Sequence, residues 1–444
     1  MKQFYVVPFS GLDTVSIARS LAQVADRDGD HVDAYLERCE EITLLPEGQS
    51  PGICVREQEG LALRLVRGKS SWIAARDRID ATSFESALRQ ASRTSPVVFY
   101  PLPEMTLRRF PRCVDVPELY AFSELLDRAI LGLHAAFPYQ LTLVRHRRWS
   151  QVIGTQLTAA SQREFFYSCV IELPWARYGQ VLPEIDEVAA QRLARGVQAL
   201  FKASTAPPVE PREGPVVLGS SATAVLLHEV VAHALEADTL ALGGAVSAAR
   251  GVELGSKCLN VLDDPSGAPP GIDRAFDDEG EPVLRRWLLR EGVVDQPLVD
   301  LYHSRGSESL IAGAARRDSR YSSPVPRSTF LEMLPGEESL EDLLKAADGG
   351  LYLPEASGGR LHPQSGSFTL DFPYARQIRS GGELGEFSSG CRVEGTVSAI
   401  LSSIRGIGRS VETAGAGWCA KGGQKFAVFA AAPATQIDSV KVIG

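Results

Sequence analysis

The sequence predicts an α+β protein. It has an N-terminal α+β domain on a mainly antiparallel sheet and a β-rich C-terminal domain that carries an embedded helix. Three observations lead there. In the first half, apolar residues at helical spacing alternate with runs of period two, the mark of helices packed on an antiparallel sheet. The proline-rich, polar stretch TAPPVEPREGP, residues 205–215, then interrupts the chain. Beyond residue 245, glycines and short alternating runs dominate. These place the two domains at residues 1–208 and 209–444.

Taken in order, residues 11–27 carry Val15, Ile17, Leu21 and Val24 at helical spacing. HVDAYLERCEEITLL alternates as a strand. GLALRLVRGKSSWIAARD sets Leu61, Leu63 and Leu65 in period two, with VRGK as a hairpin corner. SFESALRQASR and residues 115–134 and 182–204 have helical patterns, and YQLTLVRHRRWSQVIGTQ and REFFYSCVIELPW are strand-like. VVLGSSATAVLLHEVVAHALEAD predicts a short strand, a Gly-Ser turn and a helix starting near Ser220 or Ser221. RWLLREGVVDQPLVDLY forms a hairpin about Glu291-Gly292, and SLEDLLKAADG, residues 339–349, a short helix stopped by glycine. GSFTLDFPYARQIRSGG and the terminal KFAVFAAAPATQIDSVKVIG read as strands.

With 444 residues, 44% of them hydrophobic and 23% charged, the chain has the composition of a soluble globular protein. The net charge of -9 argues against nucleic acid as the main partner. LVRHRRW and MTLRRFPR are short and form no long basic stripe, so they read as solvated surface or interface pieces. The first residues lack the apolar run of a signal peptide, and no stretch approaches the ~18 apolar residues of a membrane span. A cytoplasmic protein without membrane contact is expected. Seven scattered cysteines without a CxxC pair fit a reducing compartment.

Chemistry concentrates in HEVVAHALEAD, residues 228–238. His228 and His233 stand five apart. At roughly 100° per residue, a regular helix would point them about 140° apart, too far for one ion. A π-type turn closing i to i+5 brings them back to one side. The pair therefore predicts a helix defect between Val230 and Ala232 if it binds metal. Two core histidines with satisfied partners, and a polar face turned to solvent, are the plain alternatives. Glu229, Glu236 and Asp238 share this apolar helix, and burying them without a cation is costly. A catalytic zinc site has three protein donors and an open position. Glu236 and Cys419, the latter in GAGWCAKGGQ, are rival third donors, and the six other cysteines stay open.

HEVVAHALEAD and GWCAKGGQ together resemble the TldD/PmbA family of modulator-of-gyrase proteases, in its metal-bearing, TldD-like branch. FDDEGEP, PVPRSTFLEMLPG, GGRLHPQSGSFTLDFPYARQI and the looser GLALRLVRGKSSWIAA support the resemblance. It implies a β-rich metallopeptidase domain and one Zn2+ per metal-bearing subunit, held by His228, His233 and Cys419. Glu229 is implied as the acid–base residue. The implied substrate is a small or unfolded peptide lying extended against a strand. The implied assembly is a homodimer or a heterodimer with a related metal-free subunit. Ala420 replaces the family's glycine after the cysteine, and Phe330 replaces an asparagine, which bears on substrate preference. His303, Arg317, Tyr321 and Arg327 are candidate helpers, and Glu236 and Asp238 candidates to orient the histidines. A non-catalytic partner or scaffold subunit, or a metal-dependent amidase acting on a non-peptide substrate, are the alternative functions.

Overall fold

The computed structural model describes residues 14–25, 30–45, 52–68, 70–92, 116–131, 138–155, 159–243, 250–305, 307 and 309–444. Cys113, His134, MTLRRFPR and the first thirteen residues lie outside them. The first half forms a six-stranded sheet from β1 (His31–Leu45), β2 (Gly52–Arg67), β3 (Ser70–Arg76), β4 (Gln140–Gly154), β5 (Ala159–Glu172) and β6 (Arg177–Leu182). Their order is β3-β2-β1-β4-β5-β6, antiparallel throughout. Among the described residues, four helices accompany it: α1 (Thr14–Val24), α2 (Ala81–Ser92), α3 (Pro117–Leu131) and α4 (Glu187–Ala203). Ile17, Leu21 and Phe84 of α1 and α2 join Leu36, Leu61 and Leu63 in one core. Leu119, Phe122 and Leu193 of α3 and α4 join Ile42, Leu143 and Ile171 in another. Each fully buried side chain of this size contributes ~1.5–3 kcal/mol.

Period two also builds the sheet's other face. Val32, Ala34 and Leu36 of β1 lie in the helix-side core. Asp33, Tyr35 and Glu37 enter a buried ionic layer against loops of the second half. Arg64 donates to Asp33 at 2.6 Å and also to Glu279. Arg274 reaches Glu164 at 2.7 Å, Arg320 reaches Glu37 at 3.0 Å, and the guanidinium of Arg317 lies 4.2 Å from the Tyr35 ring centroid. LVRHRRW, expected as solvated surface or interface, joins this layer: Arg148 donates to Glu164 at 3.3 Å and its side chain is 13% exposed. Glu164 stands on the neighbouring strand, and Glu37 and Asp278, from distant parts of the chain, lie within 3.7 Å of the same guanidinium. Breaking one partner of such a buried pair costs about 3–5 kcal/mol, so the layer fixes how the two halves meet.

Among the described residues, the second half is built on a thirteen-stranded mixed sheet, with Ala315–Arg316 and Val325–Pro326 paired apart from it. Its centre is the terminal strand Gln424–Ile443, which pairs with Ile404–Lys421, Arg212–Leu218, Cys391–Thr396 and, in parallel, Phe330–Met333. Glu291 and Gly292 have φ of 51° and 74° and close the expected hairpin between Arg286–Arg290 and Val293–Val294. Ser339 and Asp342 form a capping box on the short helix Leu340–Ala346. Val209 already packs into this half's core. No helix among the described residues is long and apolar enough to cross a membrane.

Candidate metal centre

The site begins with β7 (Arg212–Leu218), which leads through Gly219 into α5 (Ser220–Leu226). A Cβ on Gly219 would stand 2.6 Å from the Pro354 carbonyl oxygen, so the turn needs glycine. The helix then widens into a π-turn over Leu227–Ala232, where the His233 amide donates to the His228 carbonyl. This is the i to i+5 closure that the histidine spacing predicts. The ring centroids come to 4.4 Å. A 3-10 turn over His233–Leu235 follows, and Glu236 leaves the helix in an extended conformation. Leu226, Leu227, Val230, Val231 and Ala232 are fully buried and anchor the turn in the core.

The third side arrives on the hairpin of Ile404–Lys421 and Gln424–Ile443. Gly422 and Gly423, at φ of 60° and 78°, make its two-residue turn and fix Cys419 opposite Phe426. Cys419 Sγ lies 3.4 Å from His233 Nε2. One donor atom each from His228, His233 and Cys419 lie within 4.8 Å of one another, and all three residues are buried. Glu229 Oε2 is 3.9 Å from His233 Nε2.

The residues fit a zinc ion on three counts. Two ligands of one tetrahedral zinc stand about 3.3–3.6 Å apart, which the His233–Cys419 pair already satisfies. Both ring nitrogens of His228 are buried without a hydrogen-bond partner among the described residues, a costly state that a metal bond relieves. Burial, reinforced by neighbouring His233, also holds the His228 ring well below its ordinary pKa, in the neutral form that binds metals. Burial alone would lower His233 too, but the Glu236 carboxylate and Cys419 outweigh it and raise this ring to about 10, so a cation binding at Nε2 would have to displace a proton there. Burial pushes the Glu229 carboxyl up, against the pull of His233.

Glu236, the rival third donor, has both oxygens committed. Oε2 accepts from His233 Nδ1 at 2.8 Å and from Lys421 Nζ, and Oε1 accepts from Arg327 Nη1 at 2.7 Å. Burial opposes its ionisation, but His233 and Arg327 hold the carboxyl well below its ordinary range. Asp238, expected to orient a histidine, instead accepts from Lys421 at 2.9 Å. Of the four candidate helpers, Arg327 reaches the site through Glu236. His303 bonds Asp300 at 2.6 Å, Arg317 belongs to the ionic layer, and Tyr321 bonds Asp77. Among the described residues no other cysteine joins a candidate metal cluster. Ala420 is exposed, so its methyl group is accommodated, and Phe330 is buried among Val181, Ile272 and Phe429. Sequence reading passed over Lys421, although its place two residues after Cys419 on one strand was the available signal.

The family model for the PmbA/TldA metallopeptidase C-terminal domain matches residues 211–444, more than half of the chain. The chain belongs to the TldD/PmbA family. It is 29% identical over 232 residues to a metalloprotease TldD homolog of Buchnera aphidicola subsp. Acyrthosiphon pisum, covering 52% of this chain and 48% of that protein. It is 26% identical over 264 residues to a zinc metalloprotease TldD homolog of Saccharolobus solfataricus, covering 59% of this chain and 57% of the relative. This TldD/PmbA chain thus spans about half the length of the curated relatives it matches. Its fold resembles the crystal structure of TldE from Thermococcus kodakarensis, with a TM-score of 0.76 and 18% identity over 97% of this chain and 100% of that one.

Proposed function

We propose that the protein is a cytoplasmic, zinc-dependent peptidase that hydrolyses peptide bonds in small or unfolded peptides. The convergence of His228, His233 and Cys419 within 4.8 Å, beside Glu229, carries this reading. These three residues would hold one Zn2+ in each metal-bearing subunit, consistent with relatives named as metalloproteases, one of them as a zinc enzyme. A zinc ion held there supplies Lewis acidity, lowering the pKa of a water and polarising a carbonyl. Glu229 takes the proton of the attacking water and passes it to the leaving amine. Glu236 fixes the His233 tautomer through Nδ1, leaving Nε2 for the ion.

The edge for the peptide is the strand Gly358–His362, which pairs only with Ser367–Phe372 among the described strands. Gly359 packs against Glu229, so a peptide added to that strand would run past the carboxylate. We take residues 1–208 and 209–444 as the two domains, the second bearing the chemistry. We propose further that it assembles as a homodimer or with a related metal-free subunit. Glu229→Gln tests the reading: it should keep zinc while peptide cleavage falls about 10²–10⁴-fold. Cleavage at the parent rate would remove Glu229 from this role.

A further inference from the structure

Lys421 takes no part in the proposed hydrolysis, yet it lies against the carboxylate that holds His233. Its ammonium donates to Glu236 Oε2, to Asp238 Oδ1 at 2.9 Å and to Thr239 Oγ1 at 3.0 Å. Glu236 is fully buried, and its same oxygen accepts from His233 Nδ1 at 2.8 Å. Lys421 and Cys419 are two residues apart on one strand, so they point to the same side. The strand therefore holds His233 at both ends of the imidazole. Cys419 Sγ meets Nε2 at 3.4 Å, and Lys421 reaches Nδ1 through the shared carboxylate oxygen.

Two features suit Lys421 to this task. The two-residue Gly422-Gly423 turn sets the hairpin register, and a one-residue slip would turn both side chains to the opposite face. Asp238 and Thr239 belong to the short helix Ala237–Ala241, which directly follows the histidine segment. The lysine thus ties the strand bearing the thiol to the segment just after the imidazoles. Arg327 donates to the other oxygen of Glu236 at 2.7 Å, from a separate part of the chain. Glu236 is thereby held from two sides while it accepts the His233 proton.

We infer that Lys421 is a positioning residue of the metal centre: through Glu236 it fixes the His233 tautomer, and through Asp238 and Thr239 it holds the Cys419 strand in register with the histidine turn. This rests on the zinc reading and adds to it a residue that touches neither ion nor substrate. An orienting partner of this kind is worth about 10–100-fold in metal affinity.

The test is a competitive zinc titration against a chromophoric chelator, on the full chain as parent, Lys421→Met and Asp238→Asn. Circular dichroism checks the fold of each, and the cobalt-loaded forms report the thiolate-to-metal absorption band. Lys421→Met should bind zinc about 10–100-fold more weakly, with a shifted or weakened cobalt band, while keeping the parent fold. Asp238→Asn removes one anchor of the lysine and leaves Glu236 in place, so it should weaken zinc several-fold and keep the inference testable if Lys421→Met does not fold. Parent-like zinc affinity and cobalt band in a folded Lys421→Met, or in Asp238→Asn where the first does not fold, would overturn the inference and leave the zinc reading standing. A parent protein that binds no zinc would overturn both.

Discussion

Replacing Glu236 by glutamine removes one negative charge and barely changes shape, so its effect isolates the electrostatics beneath the centre. The carboxylate faces His233, Arg327 and Lys421. Lys421 keeps Asp238 and Thr239 after the change. Arg327 does not fare so well. Its side chain is 2% exposed; among the described residues its Nε and Nη2 are buried without hydrogen-bond partners, and Nη1 donates to Glu236. The variant leaves a buried guanidinium without its counter-charge, a change that costs about 3–5 kcal/mol. For a unit of this size that is a fall of about 6–20 °C in Tm. The assay is thermal unfolding with chelator present, so that zinc does not mask the loss. Arg327→Met in the Glu236→Gln background should recover part of the loss, because it removes the stranded charge. A fall below about 2 °C with no recovery in the double variant would show that the carboxylate is not the buried counter-ion described here.

Other outcomes follow from the same geometry. Cys419→Ser should cut zinc affinity by well over 10-fold, because it replaces a soft thiolate donor; equilibrium dialysis with metal analysis reads it. A Cβ at Gly359 would meet Leu370 Cδ2 at 2.5 Å and Glu229 Cγ at 2.8 Å. Gly359→Ala should therefore displace Glu229, lowering kcat by at least ~10-fold with zinc retained, measured by steady-state cleavage of an unfolded peptide. Burial raises the Asp263 carboxyl from 3.8 to about 6, against the pull of its backbone partners Thr329 and Phe330. As pH rises through this interval the unfolded chain releases a proton that the folded chain keeps, so stability falls and the deficit is complete above about pH 6. Asp263→Asn, which retains an acceptor for the two amides, should raise stability at pH 7 by about 2–3 kcal/mol and flatten this dependence, read from urea unfolding across pH.

What could be read from the sequence was what is local. The five-residue spacing of His228 and His233 contains its own geometric demand, and the π-turn over Leu227–Ala232 meets it. Leu61, Leu63 and Leu65 declared a strand face because alternation is a local property. The choice between Glu236 and Cys419 was not local. It depends on where the Gly422-Gly423 hairpin docks and on cations at Arg327 and Lys421 claiming both oxygens of Glu236. The ionic layer was hidden for the same reason: Arg148 finds Glu164 on the next strand but also lies near Glu37 and Asp278, far away along the chain. Asp238 was misassigned because spacing from His233 says nothing of a lysine arriving from another strand.

The proposed centre is a single ion shared by two imidazoles and one thiolate. An anomalous X-ray difference map, recorded on either side of the zinc absorption edge from zinc-loaded crystals, tests it most directly. One strong peak is expected, bounded by His228, His233 and Cys419, with Glu229 facing its open side. A fully loaded crystal whose peak lies elsewhere, or whose Cys419 stands apart from the bound ion, would contradict it.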